Sequence, residues 1–217
     1  MKPTIKAILW DNDGVLVDTE HLYFRATREV LSCVGVDLTR DLYADLFLKQ
    51  SKGAWHLAAE KGVSPAEIDR LRDERNARYG RLLREEPTVI AGAEETLARL
   101  HGQFQMGIVT SSRRDHFEII HQSTRVLQYI DFVIASGDYR HAKPDPEPYL
   151  LGVQRMGRPI DECVVIEDSE RGLTAARRAG LKCVMIPNRL TRHSDFFGAS
   201  CVLDAITEVT PEFLYSL

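Results

Sequence analysis

Apolar positions along this chain recur with two different periods, and the change from one to the other falls near residue 87. A first apolar run, Ile5 to Trp10, reads as a buried strand. From about Thr19 to Glu86 the spacing becomes helical. Leu22 to Val34, Leu42 to Leu48, Ala54 to Lys61 and Pro65 to Arg84 place apolar residues three and four apart among many charges. Ser64-Pro65-Ala66-Glu67 marks a helix start, with Ser64 as N-cap, Pro65 in the first helical position and Glu67 placed for a capping box. From about Pro87 onward short β-rich runs, Gln105 to Val109, Phe132 to Ala135, Cys163 to Ile166 and Lys182 to Ile186, alternate with amphipathic helices at Ala93 to His101, Pro146 to Met156 and Gly172 to Ala179. Alternation of this kind signals βαβ units and a parallel sheet covered by helices on both faces. The first strand belongs to that sheet, so the helical stretch is expected to be an insertion over the sheet edge. The predicted architecture is a Rossmann-like α/β core, residues 1–17 and 88–217, with an inserted α-helical cap, residues 18–87. There is no internal repeat or low-complexity tract.

The first strand ends in Asp11-Asn12-Asp13-Gly14. Carboxylates concentrated at the end of a buried strand need a metal ion, a basic side chain or a shifted pKa to offset them. Asp-x-Asp-Gly also occurs in ordinary turns. An EF-hand is excluded, because Val15 and Leu16 fall where that loop needs an oxygen ligand and a glycine. In open α/β sheets ligands bind beyond the carboxyl ends of the strands, so the residues just after each predicted strand are candidates. After Val109 come Thr110-Ser111-Ser112 and Arg113-Arg114, an anion site at a helix N-terminus, where Ser112 also suits an N-cap. Further on, His141 to Pro148 is a rigid loop presenting Lys143, and Glu167-Asp168-Ser169 comes after Ile166, where acidic residues also suit a helix start. Acid, hydroxyl, lysine and acid at the ends of separate strands together suggest phosphoryl transfer. Such carboxylates can hold Mg²⁺, and with Mg²⁺ and a lysine beside it one carboxylate can serve as nucleophile.

Composition narrows the setting. The chain has 217 residues, 44% hydrophobic and 28% charged, enough for one large domain or one domain with an insert. No apolar run approaches the roughly 20 residues that span a bilayer, and Met1-Lys2-Pro3-Thr4 leads straight into the first strand, leaving no room for a signal peptide. A cytoplasmic protein with no membrane partner is expected. Cys33, Cys163, Cys183 and Cys201 are scattered and read as small buried hydrophobes rather than metal ligands or disulfides. The net charge of −4 gives no general attraction to nucleic acid, and the arginines from position 70 to 84 mix with acids as an ion-paired surface. A monomer or weak homodimer is expected.

The ordered set Asp11-Asn12-Asp13-Gly14-Val15-Leu16, Thr110-Ser111, Lys143-Pro144 and Glu167-Asp168-Ser169 resembles the four motifs of the haloacid dehalogenase superfamily, and the resemblance covers essentially the whole chain. It implies that Asp11 is the nucleophile and a Mg²⁺ ligand. Asp13 would be general acid and then base, with its backbone carbonyl on the metal. Thr110 and the Ser111 amide would hold the transferring phosphoryl group, Lys143 would neutralise nucleophile and phosphate, and Asp168 would be a direct metal ligand. Glu167 would be either a ligand or an acceptor for the metal's waters. Lys143 before Pro144 leads us to expect a cis peptide, as in related mutases.

Within the superfamily Asp18-Thr19, Phe24-Arg25-Ala26, Arg75-Asn76 with Tyr79, and Ile166 to Ser169 resemble the β-phosphoglucomutase-like subgroup, which holds sugar phosphomutases and sugar- or polyol-phosphate phosphatases. The cap departs from the mutase pattern: Lys52 stands where mutases carry arginine and Tyr23 where they carry histidine. Lysine binds phosphate as a point charge, without the bidentate guanidinium fork. The expectation is therefore a Mg²⁺-dependent phosphatase of a small phosphorylated metabolite, with a sugar phosphomutase as the alternative. A dehalogenase or a non-catalytic phosphate-binding regulator ranks behind both. Candidate substrate contacts in the cap are Thr19, His21, Lys49, Lys52, Trp55, Arg75 and Asn76, each of which also has an ordinary structural reading.

Overall fold

Strand β1 (Ala7–Trp10) is buried at every position, and so is β4 (Cys163–Glu167). This explains why both read as continuous apolar runs: strands in the middle of a parallel sheet are covered on both faces. A computed structural model describes residues 4–50 and 52–217. Met1 to Pro3, on which the signal-peptide expectation rests, and Ser51 lie outside the described residues. With β2 (Gln105–Arg113), β3 (Phe132–Ser136), β5 (Lys182–Met185) and β6 (Cys201–Val202), these strands form one sheet in the order β3-β2-β1-β4-β5-β6. All its pairings are parallel. β1 sits between β2 and β4, with Trp10 opposite both Ile108 and Ile166, so the chain leaves β1 level with the end of β4 and beside the middle of the longer β2.

By contact the chain divides into two compact units, one of residues up to Asp18 together with Val89–Leu217, the other Thr19–Thr88. The second unit contains α1 (Glu20–Ser32), α2 (Arg40–Tyr43), α3 (Trp55–Glu60) and α4 (Pro65–Glu85). Ser64 caps α4 as its sequence predicts, its hydroxyl accepting from the Glu67 amide at 3.3 Å. The continuous helix expected over Leu42 to Leu48 is instead α2 followed by a wider π-helical turn, Ala44–Lys49. The wider turn keeps Tyr43, Leu46 and Leu48 all buried. The arginines of α4 make the expected ion pairs, Arg72 with Asp69 at 3.0 Å and Arg78 with Glu74 at 2.7 Å and with Glu29 of α1 at 3.0 Å.

In the first unit α5 (Ala93–Leu100), α6 (Arg114–His121), α7 (Glu147–Met156), α8 (Glu170–Arg178) and α9 (Pro211–Ser216) accompany the sheet. Gly152 lets α7 lie close on β1, since a Cβ there would stand 2.8 Å from Leu9. Leu9, Val109, Ile134, Tyr149, Met156, Val165 and Leu173 form the centre of its apolar core. The Lys143–Pro144 peptide is cis, as expected. The four cysteines are free, and Cys163 and Cys183 are buried. Cys33, at the C-cap of α1, is exposed and Cys201 is half-buried, because each lies at the rim of an element rather than inside it. Among the described residues no helix is long and apolar enough to cross a membrane.

Candidate active site

The ends of β1 and β4, the part of β2 after Val109 and the loop before α7 bring Asp11, Asp13, Thr110, Lys143, Glu167 and Asp168 together within the first unit. Lys143 Nζ, 2% exposed, donates to Asp11 Oδ1 at 2.8 Å, Glu167 Oε1 at 2.9 Å and the Val109 carbonyl at 2.9 Å. All three of its protons are therefore placed, and the ammonium also lies 4.6 Å from the centre of the Tyr149 ring.

Glu167 is the most heavily bonded group of the cluster. Oε1 accepts from Lys143 and from the Tyr149 hydroxyl at 2.9 Å, while Oε2 accepts from the amides of Asp168 and Ser169, each at 3.0 Å, and from the Ser169 hydroxyl at 2.9 Å. Gly172 leaves room for this carboxylate, since a Cβ there would stand 1.8 Å from Oε1. Ser169 doubles as N-cap of α8, accepting from the Gly172 amide at 3.2 Å. Asp168 Oδ2 accepts from Asn188 Nδ2 at 2.6 Å. Gly14, at φ 91°, closes the turn after Asp13, where a Cβ would strike Asp168 Oδ2 at 2.2 Å.

Thr110 and Ser112 donate from their hydroxyls to Asp13 Oδ2 at 3.0 and 2.7 Å, and the Ser112 amide donates to Thr110 Oγ1 at 2.9 Å. Ser112 therefore contacts the second carboxylate directly as well as standing beside the start of α6. Ser111 Oγ is buried and, among the described residues, makes no hydrogen bond within ordinary limits.

The charge balance of this cluster is uneven, with Asp11, Asp13, Glu167 and Asp168 facing the Lys143 ammonium. Burial, then the Glu167 charge, outweigh the opposing Lys143 and push the Asp11 carboxyl up to about 7, with Asp13 adding to the rise. Burial alone would raise Glu167 too, but the Lys143 charge and the hydrogen bonds it receives bring it below its ordinary value. Burial opposes charge on Lys143, yet Asp11 and Glu167 hold it well above the usual lysine range.

An excess of carboxylate that leaves one member poorly ionised fits a cation. Ligand atoms of Asp11, Glu167 and Asp168 lie within 4.8 Å of one another, and hard oxygen donors suit a divalent ion. The five hydrogen bonds on Glu167 favour Asp11 and Asp168 as the ligating pair. A second acidic group, His141, Asp145 and Glu147, is largely committed to its own loop, where Glu147 accepts from the Arg140 and His141 amides.

In the helical unit Thr19 is buried beside the start of α1, and His21 is exposed with Nε2 3.7 Å from Glu86. Lys49 and Lys52 are exposed. Arg75 adjoins both Trp55 and Asn76. Arg75 is 7% exposed, lies 4.5 Å from the Tyr23 ring centre and 5.6 Å from that of Trp55, and donates to Asn76 Oδ1 at 2.9 Å and to the Tyr23 hydroxyl. The solvated-face reading of Arg75 is thus corrected: its flat cation stacks on aromatic rings and is withdrawn from water.

Sequence reasoning passed over Tyr149 and Asn188 and read Ser112 as part of an anion site or as an N-cap, whereas the N-cap of α6 is Arg113 and the Ser112 hydroxyl goes to Asp13. Asn188 lies just beyond β5, so the rule that located the other groups also points to it.

A parallel sheet that gathers carboxylates, one buried lysine and hydroxyls at its carboxyl ends, with a helical unit inserted after its first strand, is the architecture of a capped α/β hydrolase. The chain matches the family model of the haloacid dehalogenase-like hydrolases over residues 5–180 and belongs to that family. It is 32% identical to the protein CbbY of Cereibacter sphaeroides over 216 residues, 94% of each chain. It is 33% identical to the fructose-1-phosphate phosphatase YqaB of Escherichia coli over 182 residues, 82% of this chain and 94% of that one. A crystal structure of a CbbY variant from Rhodobacter sphaeroides in complex with xylulose-(1,5)bisphosphate superimposes with a TM-score of 0.81 at 28% identity, covering 94% of this chain and 96% of that one.

Proposed function

We propose that this protein is a Mg²⁺-dependent phosphatase of small phosphorylated metabolites, sugar or polyol phosphates, that works through an aspartyl-phosphate on Asp11. The observation that carries this reading is the buried Lys143 ammonium bonded to both Asp11 and Glu167 inside a carboxylate-rich cluster. Similarity to a fructose-1-phosphate phosphatase and to a protein crystallised with a ketose bisphosphate supports the substrate class.

Mg²⁺, held by Asp11, Asp168 and the Asp13 carbonyl, would screen phosphate from carboxylate and stabilise charge on the transferring group. Lys143 favours the ionised form of Asp11 and holds it in place through its hydrogen bond to Oδ1. The Asp11 carboxylate attacks phosphorus, the phosphorus–oxygen ester bond breaks, and Asp13 gives its proton to the departing oxygen. Asp13 then takes a proton from water as that water attacks the aspartyl-phosphate, releasing inorganic phosphate and restoring the Asp11 carboxylate and the protonated Asp13. Thr110 and Ser111 present hydroxyl and amide to the phosphoryl oxygens, and the unpaired Ser111 hydroxyl is a further donor for them. Glu167 acts through its bonds to Lys143 and to the Asp168-Ser169 backbone rather than as a ligand. Among the cap candidates Arg75 and Asn76 stand foremost for substrate contact, because the acceptors of this buried cation among the described residues, Asn76 and Tyr23, are neutral.

Phosphate release from a panel of sugar, polyol, nucleotide and glycolytic phosphates tests the reading. Free phosphate rather than an isomerised sugar is expected, and Asp11→Asn should lower kcat by about a thousandfold or more. Full activity in that variant would overturn the assignment of Asp11.

A further inference from the structure

Asn12, between the two aspartates, is fully buried. Its carbonyl accepts from the amides of Val15, Leu16 and Val17 at 3.3, 2.9 and 3.1 Å, which closes the turn carrying Asp13 and Gly14. Its side chain is engaged at both ends. Nδ2 lies 3.3 Å from Asp13 Oδ2, and Oδ1 lies 2.9 Å from Nε2 of His121 at the end of α6. His121 is buried, its ring 4.4 Å from that of Phe117, and its Nδ1 lies 2.8 Å from the Thr124 hydroxyl.

The chemistry of the groups orders this chain. A carboxylate only accepts, so the Asn12 amide nitrogen faces Asp13 and the amide oxygen faces the ring; Nε2 then carries the proton and Nδ1 accepts from Thr124. Burial holds the imidazole neutral, lowering its pKa to about 4 against the opposing pull of Asp13. The turn is already closed by the Asn12 backbone, so turn geometry gives no reason for a polar side chain here, and an apolar one would avoid the cost of burying an amide.

We infer that Thr124, His121 and Asn12 form a positioning relay that aims the Asp13 carboxyl at the leaving oxygen. The inference rests on the acid and base role proposed for Asp13. Asn12 and His121 are positioning residues, acting on the reaction through Asp13, and the relay fastens the end of α6 to the turn that carries it.

A group that serves proton delivery matters where the leaving group needs a proton, and little where it does not. The test is kcat/KM of His121→Ala on p-nitrophenyl phosphate and on the best alkyl phosphate of the panel. We expect a loss of about 30-fold or more on the alkyl ester, carried by kcat with KM within about threefold, and less than about threefold on the aryl ester. His121→Gln, whose amide can donate to Asn12 Oδ1, should recover most of the alkyl activity, whereas His121→Phe should not. Equal losses on both esters, or a glutamine variant no better than phenylalanine, would overturn the relay while leaving the phosphatase reading intact. A wild-type protein that hydrolyses neither ester would instead remove the phosphatase reading. Should His121→Ala fail to fold, Thr124→Ala, which leaves ring and amide in place, is read by the same ratio: a selective loss on the alkyl ester supports the relay and an unchanged ratio overturns it.

Discussion

The clearest quantitative consequence of the site concerns stability without metal. Asp11→Asn keeps the shape of the side chain and an oxygen to accept from Lys143, and removes one negative charge from a cluster in which four carboxylates face the Lys143 ammonium. The Asp11 carboxyl titrates near 3.8 when exposed and near about 7 in the fold. The folded state therefore holds a proton that the unfolded chain has already released, and wild-type stability falls as pH rises between those two values. At about 1.4 kcal/mol per unit, the loss reaches about 4 kcal/mol by pH 8 and about 2 kcal/mol at pH 5. The asparagine variant resembles the protonated form at every pH. In chelator it should be more stable than wild type by those amounts, with the gap narrowing as the solution is acidified. Urea unfolding at pH 5 and pH 8 measures both values, and saturating Mg²⁺ should close the gap by stabilising the wild type selectively. A variant less stable than wild type at pH 8 in chelator, or a gap that widens towards acid, would refute the charge argument.

Other residues give sharp expectations too. Gly172→Ala places a carbon 1.8 Å from Glu167 Oε1, and since five hydrogen bonds pin that carboxylate, it should cost about 1–3 kcal/mol in thermal unfolding and lower kcat as Lys143 shifts; an unchanged Tm would show that Glu167 is not pinned. Asn188→Leu removes the 2.6 Å donor to Asp168 and should weaken Mg²⁺ binding by about 10–100-fold in calorimetry, with stability in chelator little changed; an unaltered Kd would take Asn188 out of the metal site.

The acid, hydroxyl and lysine groups were legible because each comes soon after an apolar run, and parallel sheets collect strand ends on one side. Asn188 obeys the same logic but comes after an intervening Pro187, and a neutral amide beside Arg189 has no charge of its own to mark it. His121 and Asn12 are 109 positions apart, and no local pattern connects a histidine on an amphipathic helix to an amide in a turn. The function of Glu167 was open for a different reason. A carboxylate after a strand looks the same in sequence whether it meets a cation or backbone amides, and only the fold shows both its oxygens engaged. β6 escaped because two residues at a sheet edge carry too little periodicity to register. Arg75 resembled its neighbours on α4 in charge and spacing, and it took the rings of Tyr23 and Trp55 to set it apart.

The position of β1 at the middle of the sheet also governs the order in which the molecule can be completed. It precedes the other strands in the chain, yet its two flanking strands begin at Gln105 and Cys163, so one of its hydrogen-bonding edges waits for β2 and the other, much longer, for β4. During that interval residues Thr19–Thr88, which form a compact unit of their own, can fold on emergence, while a fully apolar strand remains open to association with other chains. The chemistry is correspondingly late. A chain halted before β4 lacks the acids that complete the cluster, and the newborn protein has a finished helical unit well before it has a centre able to act.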